Sequence, residues 1–143
     1  MQIKPPGITW RVYGEMVANS SIRLQNEGGF PSDSLDSNEF NILAGKSENG
    51  SQIGILLSRY VDENADMPNA FSAFNDTVNL SLVGLDVSCD YTWQHWGMVN
   101  NDSEPWQLIA EGDFTGTTFE LVNFEMNQRS FHYIQLNTNS PCQ

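Results

Sequence analysis

The sequence predicts an all-β fold: an antiparallel β-sandwich of seven to eight strands preceded by one N-terminal α-helix. Three observations point there. Apolar and polar residues alternate through most of the chain after residue 20, and a period of two is the pattern of a half-buried strand. Turn signals interrupt that alternation every roughly 10–15 residues, a sandwich spacing that leaves no room for helical crossovers. The polar residues are mainly Asn, Ser, Thr and Gln, with Asp, Glu, Lys and Arg at only 17%, a mix that suits turns and strands better than a helical bundle. A length of 143 residues is enough for one domain with its own core.

The first segment is the exception. "KPPGITWRVYGEMVA" places Pro5 and Pro6 where a helix starts and a missing N–H costs nothing. Trp10, Tyr13 and Val17 recur at helical spacing with Met16 beside them, which predicts a helix over 6–18 with these four residues as its packing face. It closes at the turn cluster "NSS". Residues 1–20 thus form the helical segment and residues 21–143 the sandwich.

The strands follow in order. "SIRLQ" is short. "FNILAGKS" and "IGILLSRYV" flank a hairpin turn at Asn49-Gly50. "TVNLSLVGL" alternates cleanly, with Val78, Leu80 and Leu82 inward and Thr77, Asn79 and Ser81 outward. "VSCDYTWQHWGMV", "WQLIAEGDF", "TTFELVNF" and "SFHYIQLN" complete the set. The expected core comprises Ile53, Ile55, Leu57, Val78, Leu80, Leu82, Phe119, Leu121, Ile134 and Leu136.

Charge narrows the partners. The net charge is -12, and between Arg59 and Arg129 the chain holds twelve acids and no Lys or Arg. Such a surface repels phosphate backbones and anionic headgroups, which argues against nucleic acid and membrane surfaces and leaves neutral sugars or cations. No apolar run approaches the roughly 20 residues of a membrane span. "MQIKPPGITW" lacks the apolar centre of a signal peptide, so the chain is either intracellular or exported by a signal outside it. Cys89 and Cys142 permit one disulfide or two thiols. No Cys/His spacing suits a metal, and the acidic stretches "DSLDSNE", "DENAD" and "NNDSE" do not fit a calcium loop and read as solvated turns.

The segment "SCDYTWQHWGMVNNDSEPW" holds three of the four tryptophans. On a regular strand Cys89, Tyr91, Trp93 and His95 share one face, and Asp90, Thr92, Gln94 and Trp96 the other. One face of a sandwich strand must be core, which assigns Tyr91 and Trp93 to the interior. His95, Trp96 and Trp106 are the candidate carbohydrate-binding residues, placed near the acidic turn, because aromatic faces stack on the apolar C–H faces of sugar rings.

Catalytic groups are hard to find. Glu27 and Glu39 each follow an asparagine, but both stand in turn-like sequence with no sign of the shielded pocket that a general acid requires. His95 and His132 are the only histidines; Ser88 and Cys89 lie too far from His95 along one strand to pair with it. His132, in the closing strand, reads as a packed or edge histidine rather than a base.

The ordered series "PPGITWRVYGEMV", "ILAGKSENGSQIGILLSRY", "NLSLVGL", "YTWQHWGMVNNDSEPW" and "RSFHYIQL" resembles the C-terminal part of retaining clan-A glycoside hydrolases, those with a (β/α)8 barrel, and among them the β-xylosidase-like family 39 and its relatives. The resemblance covers nearly the whole chain. It implies a non-catalytic accessory β-sandwich, with the leading helix corresponding to the last helix of the barrel, and it implies no cofactor. The family's two catalytic glutamates belong to barrel strands that have no counterpart here, since a barrel takes about 250 residues. The implied partner of the helix is the glycosidase barrel, or, without it, a second copy of the chain. An oligosaccharide is the implied ligand if the sandwich borders the substrate cleft, and a secreted or periplasmic parent enzyme follows from the same likeness. The alternative function is an autonomous carbohydrate-binding module that works through exposed tryptophans.

Overall fold

The computed structural model describes residues 5–26, 40–60, 76–98, 106–126 and 129–138. Among these, one helix, α1 (Pro5–Asn19), precedes eight strands: β1 (Ile22–Arg23), β2 (Phe40–Lys46), β3 (Gln52–Tyr60), β4 (Asp76–Val83), β5 (Asp90–Gly97), β6 (Gln107–Thr115), β7 (Thr118–Met126) and β8 (Arg129–Thr138). The expected all-β sandwich with one N-terminal helix is the fold observed. Six strands form one sheet in the order β1-β2-β3-β8-β5-β6, β4 and β7 form the other, and every pairing is antiparallel.

Local chemistry sets the joints. Between β2 and β3, the Asn49 side-chain oxygen accepts hydrogen bonds from the Ser51 N–H at 3.0 Å and hydroxyl at 2.7 Å, and Gly50 takes φ 71°, a conformation that costs glycine little. Between β4 and β5, Asp86 accepts from the Ser88 N–H and hydroxyl, which holds its carboxyl below the usual range. A bulge separates Val78 from Leu80, where the Asn123 N–H donates to the Asn79 side chain at 2.8 Å.

The main core lies between the sheets. Ile53, Ile55, Leu57, Leu80, Phe119, Ile134 and Leu136 are buried there, and Val78, Leu82 and Leu121 pack against them partly buried. These are the ten residues that alternation assigned to the interior. Thr77, Asn79 and Ser81 are exposed, as the same alternation requires.

A second, smaller core covers the outer face of the six-stranded sheet, where Val12 and Met16 of α1 pack on Leu56, Phe131 and Tyr133. This corrects the expected helix face. Of Trp10, Tyr13, Met16 and Val17, only Met16 is buried; Trp10 is 74% exposed, Val17 49% and Tyr13 43%. Val12 and Met16 stand one turn apart on a stripe about a third of a turn away from the other three. The helix therefore docks on its own sandwich by a narrow stripe, and the bulkier side chains point outward, with Trp10 and Tyr13 edge to face at 6.4 Å.

Two glycines let the helix come this close. Gly45 and Gly54 are cross-strand partners on β2 and β3. A Cβ on Gly45 would run into the Ser20 carbonyl oxygen just after α1, and one on Gly54 would stand 2.9 Å from the Tyr133 hydroxyl and 3.3 Å from Met16 Cγ. Backbone cannot yield as a flexible side chain can, so Gly45→Ala is expected to destabilise the fold by about 1–3 kcal/mol. Gly14, in the same helix but with open space around it, is the control: Gly14→Ala should stabilise by about 0.5–1 kcal/mol. Urea unfolding of the two variants checks both signs.

Candidate functional site

The segment Ser88–Trp106 becomes β5 and its continuation towards β6, and the pleat sends its aromatics to opposite faces. Inward go Cys89, Tyr91, Trp93 and His95; outward go Thr92, Gln94 and Trp96. Cys89 is buried and disulfide-bonded; Cys142 lies outside the described residues, as do Glu27, Glu39 and the three acidic stretches.

On the inner face the rings form a continuous row. Tyr91 meets Phe114 at 6.4 Å, Phe114 meets Phe119 edge to face at 5.4 Å, and Trp93 meets Phe119 at 5.5 Å. Two residues beyond Trp93 on the same face, His95 forms a buried imidazole pair with His132. His95 Nε2 and His132 Nδ1 are 2.8 Å apart, and the two residues are only 1% and 3% exposed. Phe124 of β7 packs on both rings, at 5.2 and 5.6 Å. Burial pushes His95 down to about 4 and His132 to about 3; the neighbouring His95 adds to the effect on His132. Both imidazoles are therefore neutral near pH 7. At this depth His95 presents no ring face to a sugar.

On the outer face Trp96 and Trp106 lie nearly parallel, 10° between planes and 6.3 Å between centroids, and Trp106 also packs on Phe131 at 5.6 Å. Both indoles are partly buried against the helix-facing core. The Trp96 indole N–H donates to Gln94 Oε1, and the Gln94 amide donates to Glu111 Oε2, each at 3.3 Å. The structure thus brings Trp96 and Trp106 together and puts His95 on the other side of the sheet. A β-bulge at Ile109, where His95 pairs with Ala110 and Trp96 with Leu108, alters the register here. Tyr133, between this face and α1, has its hydroxyl pushed up to about 12 by burial and by the Glu15 carboxylate.

In the sequence the two histidines stand 37 residues apart, on different strands. Both stand at inward positions of alternating strands, which is the available signal. Their meeting depends on β5 pairing with β8, a long-range choice that local pattern does not carry. Among the described residues, no group of three His, Cys, Asp or Glu is placed to hold a metal ion.

No protein-family model and no curated protein matches the sequence. The fold does have a counterpart among solved structures. A glucosidase from Croceicoccus marinus aligns with 96% of this chain at a TM-score of 0.66 and 17% identity. The chain spans only 32% of that protein's length. A thermostable GH51 α-L-arabinofuranosidase from Thermotoga petrophila RKU-1 overlaps 68% of this chain and 19% of its own, at 16% identity and a TM-score of 0.37, too partial to bear on the fold. At such identities the first likeness establishes that the chain has the fold of one part of a glucosidase.

The tryptophan stack can be tested as a structural element. Trp106→Ala removes a ring wedged between Trp96 and Phe131, and should cost about 1–3 kcal/mol in urea unfolding. Trp10→Ala, on the exposed helix face, should change stability by less than about 0.5 kcal/mol.

Proposed function

We propose that this chain is a non-catalytic β-sandwich domain of a glycoside hydrolase, carried against a catalytic (β/α)8 barrel that it supports. The observation that carries the reading is the alignment of nearly the whole chain, 96%, with only 32% of a glucosidase. The ordered motifs from "PPGITWRVYGEMV" to "RSFHYIQL" narrow the parent to the β-xylosidase-like family 39 and its relatives.

The helix supplies the physical means. α1 spends a narrow stripe on its own sheet and leaves Trp10, Tyr13 and Val17 outward, with exposed Ile22 following just after it. Burying one such side chain contributes about 1.5–3 kcal/mol, and an exposed apolar cluster favours association. The barrel is the partner this face suits; in a preparation of the chain alone, the same face would join two copies.

Trp96 and Trp106 have a place in the alternative reading as a carbohydrate-binding module. They are partly buried and already stacked on each other, so the accessory-domain reading is the better supported.

Three measurements test it. The isolated chain should not hydrolyse aryl β-xylosides, arabinosides or glucosides above background. An antibody to the sandwich should capture glycosidase activity from extracts of the source organism; capture of the chain with no such activity would overturn the proposal. Trp10→Ala with Tyr13→Ala should leave the fold's melting temperature almost unchanged and remove any dimer of the isolated chain seen by light scattering.

A further inference from the structure

We infer that the His95–His132 pair is an acid-sensitive latch: neutral, it ties β5 to β8 beneath β7, and protonation loosens this end of the sandwich. The two histidines are diagonal neighbours on adjacent strands, since His95 pairs with Ile134 and His132 with Gly97. Gly97 makes room for them: a Cβ there would stand 2.7 Å from His132 Nδ1. The 2.8 Å contact between ring nitrogens accommodates one N–H and one lone pair. A first proton keeps that hydrogen bond but places a charge in a buried site where, among the described residues, no carboxylate is buried beside it. A second sets two N–H groups against each other, and the rings must part. Phe124, which touches both rings, then loses its seat.

Among the described residues no Lys, Arg, Asp or Glu is buried; besides the two histidines the buried polar side chains are Ser20 and Ser130. On β5, Asp90 is exposed. β6 contributes Ala110 and Ile109, with Glu111 and Asp113 exposed. On β7, Phe124 packs on both rings, and Glu120 and Glu125 are exposed. On β8, Ile134 is the cross-strand partner of His95, and on β4, Val78 is the cross-strand partner of Phe124.

The composition isolates the effect. These are the chain's only two histidines, and histidine is the side chain whose ordinary pKa, about 6.5, stands at the top of the window from about pH 6.5 to 5. The folded-state values, about 4 and 3, lie below the ordinary 6.5. The unfolded chain therefore binds more protons in this window. Stability is complete above about pH 6.5, falls as pH drops through it, and levels off only below the folded values.

Urea unfolding of the intact chain from pH 7.5 to 5.0 tests the latch. The unfolding equilibrium constant should rise on the order of 100-fold between pH 6.5 and 5.0. His95→Phe with His132→Leu should flatten the profile; a double variant that keeps the parent's slope, or a parent with a flat profile, overturns the inference. If the variant does not fold, imidazole proton NMR of the parent decides: neither ring should titrate above pH 5, and a ring titrating near its ordinary value refutes the latch. Amide exchange at pH 5, corrected for intrinsic rates, should show protection lost around Gly97 and Phe124 before the β2–β3 ladder. Uniform loss would reduce the pair to a global stability contribution and overturn its role as a local latch.

Discussion

The outer half of this molecule depends on how close α1 lies to the six-stranded sheet, and that distance is set by two absent side chains. Gly45 and Gly54 face each other across β2 and β3. Over them the chain leaves α1, with Ser20 buried and its N–H bonded to the Met16 carbonyl at 2.7 Å. The close seat puts Met16 and Val12 into the aromatic floor of Phe131 and Tyr133. Because the contact stripe is narrow, the helix covers little of its own circumference. The outward face bearing Trp10 and Tyr13 is a direct result of that economy of contact.

The two sides of the large sheet are therefore closed by different means. The inner side is covered by β4 and β7 in a broad apolar layer, and the outer side by one helix resting above β2, β3 and β8. β5 serves both sides: Tyr91, Trp93 and His95 enter the inner layer, while Trp96 extends the outer one. The aromatic density of this strand thus follows from its position between two cores. A glucosidase whose chain is about three times the aligned length contains the same fold.

Much of this was legible in the sequence because strands announce themselves by alternation. The ten expected core residues are all at least partly buried, and the Asn49-Gly50 turn is where hairpin chemistry places it. The helix face was misread for a physical reason. Periodicity identifies stripes of large apolar residues, and α1 has two; the sheet accepted the smaller Val12 with Met16 because glycines beneath favoured close approach over bulk. The histidine pair was illegible for a different reason. His95 and His132 are 37 residues apart, and their contact depends on which strands become neighbours, which is decided by the whole topology.

Strand order also constrains how the chain reaches its native state during synthesis. β8 comes last among the strands described, yet it sits between β3 and β5. Until β8 has left the ribosome, β1-β2-β3 and β5-β6 are two separate ladders, each with an open edge awaiting the same strand. Unpaired edges of this kind are prone to pairing with other chains, and long-range closure of this type is slow. Closure of the large sheet therefore waits for β8, and until that strand is in place the two half-sheets each present an unpaired edge.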